Sequence, residues 1–244
     1  MEVHAHTHTE RKKFTHYLWE FLMLFLAVFC GFLAEYQLEH KIEKDREKQY
    51  IKSMVDDLKA DSLMLQKNIA LRQNRLMMID SLVGMLSSPD RDKKGNDIYY
   101  FARSVSPPAN IFPNDGTIQQ LKSSGSLRLI QNNFIANSIM AYDQKMRSVL
   151  FEMGDEIEIR AEYRQLAIKL FRTNVFHEML ATDTLSHPLN NPPLYSKDPG
   201  LINEFIGQAQ YFKKVHQTQL IRSRELLLLA QQLITDIKKE YHLK

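Results

Sequence analysis

Three histidines alternate at the start of the chain: His4, His6 and His8, within MEVHAHTHTERKK. In an extended backbone, residues two apart face the same side. The three imidazoles could then hold Zn²⁺, Ni²⁺ or Cu²⁺, with His16 as a fourth ligand. A terminal tail, however, lacks the surrounding groups that orient the ligands of a stable metal site. A tail whose histidines meet partners or solvent is the plainer reading, so no resident metal and no cofactor are expected. Glu20 carries the second possible chemistry. A carboxylate inside an apolar stretch is costly unless it is interfacial, protonated or paired. His16 lies one turn earlier on the same helical face and can pair with it. Proton or ion coupling at a subunit contact is the sharper reading, and a carboxylate reaching the headgroups is the simpler one.

Beside Glu20, the residues Ala27, Gly31 and Ala34, with Cys30 among them, form a small-residue stripe at spacings of four and three. Stripes of this kind let membrane helices approach closely, so it is read as an intramembrane contact. His216 falls on a core position of the last helical stretch and reads as a satisfied core histidine. His177-Glu178 makes no HExxH, because residue 181 is Ala. Ser123, Ser124 and Ser126 flank Gly125 with no base nearby, which fits a turn. No phosphate-binding glycine loop, dinucleotide fingerprint or nucleophile elbow occurs. An enzyme is therefore not expected.

These residues sit on elements that are legible in the chain. No Lys or Arg occurs from Phe14 to His40, and Phe21 to Ala34 is fourteen residues without a polar side chain. At 1.5 Å per residue this run covers about 21 Å, short of a hydrocarbon core of about 30 Å. Extending it to residues 17–36 reaches that thickness and places Tyr17, Trp19 and Tyr36 at the two interfaces. A cleaved signal peptide fits poorly, because bulky Phe32 stands where a small residue should precede a cleavage site after Ala34. The span reads as an uncleaved single-pass anchor. Arg11, Lys12 and Lys13 precede it, and Lys41, Lys44, Arg46, Lys48 and Lys52 follow it. A bare count would put the C-terminal side inside. The downstream basics alternate with acids, and long domains translocate largely regardless of charge. A cytoplasmic N-terminus and a periplasmic C-terminal region are expected.

Residues 37–86 contain no proline and read as a charged neck running into a first bundle helix. A heptad begins there. With Val55, Ser62, Ile69, Leu76 and Val83 at a, the d positions are Ile51, Leu58, Leu65, Arg72, Ile79 and Leu86, and only Ser62 and Arg72 break the apolar stripe. All eight prolines lie at 89–113 and 188–199, dividing the chain after the span into three helical blocks. The expected organisation is a tail at 1–16, a span at 17–36, neck and first helix at 37–86, and a tip loop at 87–116. A second block at 117–180, a return loop at 181–198 and a third helix at 199–244 complete it. In the second block, Ile135, Ile139, Tyr142, Met146, Val149, Met153 and Ile157 mark a long helix expected to reach about Leu180. The fold class is all-α: one transmembrane helix continuing into an elongated antiparallel three-helix bundle, up-down-up.

Composition narrows the rest. The 32 Lys+Arg against 29 Asp+Glu give a net charge of +3, with no concentrated basic face for nucleic acid. Eight Gly and eight Pro in 244 residues exclude collagen and low complexity. One cysteine excludes an internal disulfide.

The stretch HYLWEFLMLFLAVFCGFLAEYQLEHKIEKDREKQYIKSMVDDLKAD behind alternating histidines, and the later LKSSGSLRLI, resemble a family of single-pass, membrane-anchored Bacteroidota proteins, a domain of unknown function. The resemblance implies a bacterial inner-membrane protein and brings no catalytic residues. The function expected is a membrane-anchored scaffold or accessory subunit. Its partners are the lipid bilayer and itself or other membrane proteins, met through the span and neck. The alternatives are a periplasmic ligand-sensing module and an ion-coupled accessory subunit using Glu20.

Overall fold

The computed structural model describes residues 14–180 and 184–243; the expected tail histidines His4, His6 and His8 lie outside them. Every regular element among the described residues is helical. The helices are α1 (Phe14–Ser87), α2 (Gly95–Ser104), α3 (Gly116–Ser123), α4 (Asn133–Leu170), α5 (Thr173–Glu178) and α6 (Pro199–Glu240). Short 3₁₀ turns lie at Arg91–Lys93 and Ser126–Leu129. By its internal contacts the chain divides into residues 1–49 and 50–244.

In the first unit, α1 carries the one helical stretch among the described residues that is long and apolar enough to cross a membrane. None of its apolar window is buried among the described residues.

In the second unit, the start signals match the helices they open. The Asn132 side chain accepts from the amides of Phe134 and Ile135, and that of Asp198 from Gly200 and Leu201, so otherwise orphaned N–H groups are satisfied. Pro199 follows Asp198 in the first turn, where its missing N–H costs nothing. Gly125 holds φ +66° at the turn between α3 and the next 3₁₀ turn, a conformation glycine adopts freely.

Helix directions follow from which residues share a core. One apolar cluster joins Ile51, Leu58 and Leu65 of α1 with Ile135, Ile139 and Val149 of α4 and Leu226, Ala230 and Ile237 of α6. A second joins Ile79, Leu82 and Leu86 with Tyr163, Leu166 and Leu170 and with Phe205, Ala209 and Phe212. Numbers rise together along α1 and α4 and fall along α6. Helices α1 and α4 are therefore parallel, and α6 is antiparallel to both. This corrects the expected up-down-up order, in which α4 would oppose α1. The cause is the segment 88–132, which is no tip loop. It runs back along the whole packed length of α1 and buries Ile98, Tyr99, Ala102, Val105, Ala109, Ile111, Ile118, Leu121 and Ile130 on the way. The two proline-rich segments consequently meet at one end: the Asn191 amide donates to the Asn96 side chain, and Lys197 pairs with Asp92.

Two boundaries also shift. The long helix of the second block ends at Leu170 rather than near Leu180, because Phe171 turns extended and buries its ring against Tyr99 and Phe205. Its buried face keeps a seven-residue step, Tyr142, Val149, Glu156, Tyr163 and Leu170, which leaves Ile157 60% exposed. On α1 every d position is buried, but beyond Ser62 the second buried row is Asn68, Arg75 and Leu82 rather than Ile69, Leu76 and Val83.

A buried arginine layer as candidate functional site

The heptad break at Arg72 lies at the centre of the only continuous set of buried charges among the described residues. Arg72 is fully buried between the two apolar clusters. Its Nε donates to Asn68 Oδ1 at 2.9 Å and its Nη1 to Glu156 Oε2 at 2.9 Å. Nη1 also meets His216 Nδ1 at 3.0 Å, and Nη2 donates to the Ala109 carbonyl at 3.0 Å. Asn68 donates to the same carbonyl at 3.0 Å and accepts from Ser223 Oγ at 3.2 Å. Each long helix thus contributes at one level: Asn68, Arg72 and Arg75 from α1, Glu156 and Arg160 from α4, His216, Gln219 and Ser223 from α6.

Part of this layer is structural. The segment 105–115 has no regular structure, so its buried backbone groups need partners. Side chains along one face of α1 supply them. Arg72 and Asn68 hold the Ala109 carbonyl and Asp61 accepts from the Asn114 amide at 2.7 Å; just beyond the segment, in the first turn of α3, the Thr117 amide donates to Asp57 at 3.1 Å. Asp61 also accepts from the Tyr142 hydroxyl at 2.7 Å, and burial together with the Asp61 charge raises that phenol's pKa.

The rest of the layer is not balanced. Three guanidinium groups, Arg72, Arg75 and Arg160, face one carboxylate, Glu156, which lies 2.9 Å from Arg72 and 3.5 Å from Arg160. Arg75 is 3% exposed, and its Nε and Nη1 have no partner among the described residues. Burial pushes its pKa down to about 10, with Glu156 opposing, so it stays charged at neutral pH. His216 Nε2 and Gln219 Oε1 are also buried with no partner among the described residues. Burial first, then Arg72, Arg75 and Arg160, pull the His216 pKa down to about 3. His216 is therefore a core histidine as expected, but satisfied on one nitrogen only.

The residues singled out around the apolar span are on α1. His16 Nε2 lies 3.0 Å from Glu20 Oε1, the pairing their spacing suggested. Ala27, Cys30, Gly31 and Ala34 are exposed, and a Cβ built on Gly31 meets nothing within 4 Å. Among the described residues no three His, Cys, Asp or Glu side chains are grouped to hold a metal ion. Ser124 and Ser126 bond to each other at 2.7 Å in the turn at Gly125, and Ser124 also donates to the Gln120 carbonyl at 2.6 Å.

Sequence reasoning missed Glu156, Arg75 and the meaning of Arg72. The signal was present: a strict seven-residue step from Val149 lands on Glu156, and the same step in α6 runs Ile202, Ala209, His216, Ser223, Ala230 and Ile237, all buried. No family model, no curated protein and no solved structure matches the chain.

Proposed function

We propose that the chain is a membrane-anchored helical subunit that associates through its span, with a second copy or with another protein of a bacterial envelope complex, and performs no chemistry of its own. The observation that carries this reading is the apolar stretch of α1, none of which is buried among the described residues. Phe21, Met23, Leu24 and Phe32 are each more than 60% exposed there. Such a surface is stable against lipid or a partner helix and not against water. The open face of Ala27, Gly31 and Ala34 supports a close helix contact inside the bilayer. The reading places the chain in the bacterial inner membrane with a cytoplasmic N-terminus and a periplasmic bundle, in line with the resemblance to single-pass Bacteroidota proteins.

Crosslinking in native membranes followed by mass spectrometry tests it. A ladder of self-adducts or one recurring membrane partner is expected, and Gly31→Ile should weaken it. A strictly monomeric protein that brings down no partner overturns the reading. A reporter fused after Lys244 decides which side the bundle occupies. The unpartnered buried donors of the arginine layer favour a second reading, a ligand-sensing module that signals through a membrane partner.

A further inference from the structure

Beyond the arginine layer, the cationic excess continues to an open cleft. The cleft, about 160 Å³, lies where α2 and α4 meet Phe176 of α5. Arg103, Ser106 and Arg164 line its polar side; Ala167, Ile168 and Phe176 line its apolar side. Arg164 is already braced: its Nε donates to Ser106 Oγ at 2.9 Å and its Nη2 to the Ser106 carbonyl at 2.8 Å. That bracing fixes the plane of the guanidinium and leaves Nη1 without a protein partner among the described residues. Ser106 Oγ accepts from Arg164, so its own proton remains to be donated. No carboxylate among the described residues lies within ion-pair distance of Arg103 or Arg164. Arg164 stands near both Arg103 and Arg160, and Arg160's own partner Glu156 is shared with Arg72.

Like charges held together at a partly buried site are costly unless an anion joins them. Guanidinium groups are suited to grip a carboxylate or phosphate through paired N–H donors. We propose that this cleft binds a small organic anion, its carboxylate or phosphate head held by Arg103, Arg164 and the Ser106 hydroxyl, and a short apolar portion resting on Ala167, Ile168 and Phe176. The volume admits a group of a few carbon atoms. This goes beyond the scaffold reading and does not depend on it. Burial first, and then repulsion from Arg160 and Arg103, lowers the Arg164 pKa, with no carboxylate acting in the opposite direction.

The test uses the full chain in detergent at constant ionic strength, titrated with butyrate, propyl phosphate and the neutral butyramide, with thermal unfolding as readout. Butyrate and propyl phosphate should raise the melting temperature saturably, and butyramide should not. Arg103→Gln, which removes no protein hydrogen bond, should weaken anion binding at least tenfold while circular dichroism stays that of the wild type. Arg103→Lys, keeping charge without the fork, should fall between. Equal responses to butyrate and butyramide, no response to either anion, or undiminished binding by Arg103→Gln would each overturn the proposal.

Discussion

Arg72 and His216 share one hydrogen bond, 3.0 Å from Nη1 to Nδ1, whose direction is fixed by chemistry. A guanidinium has only donors, so Nδ1 must accept and the imidazole proton sits on Nε2. The histidine is held neutral in one tautomer, with three guanidinium groups opposing a second proton: Arg72 and Arg75 from α1 and Arg160 from α4.

A pH dependence follows. The folded pKa, about 3, lies below the unfolded value of 6.5, so the unfolded chain takes up the proton first. Stability contributed by neutral His216 is complete above pH 6.5 and is lost as pH falls toward 3. Between pH 6.5 and 4.5, above most carboxylate titrations, unfolding should become easier by about 1 kcal/mol per pH unit. His216→Gln should flatten this slope in denaturant titrations; an unchanged slope would assign it to other groups.

Arg72→Met should be the most damaging single change in the layer. It removes the 2.9 Å donor from buried Glu156, which keeps only Arg160 at 3.5 Å, and takes one donor each from His216 Nδ1 and the Ala109 carbonyl, at a cost of about 3–5 kcal/mol. Glu156→Leu should cost less on the Arg72→Met background than in the wild type, because the Arg72–Glu156 hydrogen bond is already gone. A double variant as unstable as the sum of the two singles would show that the two side chains are not coupled.

Tyr99 joins both proline-rich segments. Its hydroxyl donates to the Pro193 carbonyl at 3.0 Å and accepts from the Arg172 amide at 2.9 Å. Tyr99→Phe should cost about 1–3 kcal/mol and speed hydrogen exchange at the Arg172 amide. Unaltered protection there would mean another acceptor takes over.

Glycine substitutions should split by location. A Cβ on Gly95 would stand 2.2 Å from the Pro192 carbonyl oxygen, so Gly95→Ala must push two backbones apart. At Gly154, on the exposed side of α4, nothing lies within 4 Å, and Gly154→Ala should stabilise by about 1 kcal/mol. Thermal melts of the pair measure both; the same sign for the two would contradict the packing of α2 against the 191–193 segment.

The sequence made the helices legible because proline placement, caps and seven-residue steps are local signals. Topology was hidden for a physical reason. A proline-rich stretch reads as an end loop, and short loops join antiparallel neighbours. The contrary sign was its apolar content: Ile98, Tyr99, Ala102 and Val105 at helical spacing, then Ile111, Ile118 and Leu121. A surface loop does not carry that much material to bury. Arg72 was likewise visible as a break in the α1 stripe, but apart from Asn68 its partners come from residue 109 and beyond in sequence, and no short-range pattern links it to Glu156 or His216. The candidate layer was therefore half legible: its positions could be found, its pairings could not.

The parallel placement of α1 and α4 also bears on the order in which the molecule is made. Helices α4 and α6 are separated only by short α5 and the segment after it, and can close on each other as a comparatively local pair. The stripe on α1, from Ile51 to Leu86, has no finished cover until α6 is present, and α6 begins only at Pro199. More than a hundred residues thus leave the ribosome while that apolar face and the Arg72 guanidinium wait for their partners. Contacts of such long sequence separation form late and leave surface open to wrong association. A chain cut anywhere before α6 should accordingly be aggregation-prone and depend on chaperones.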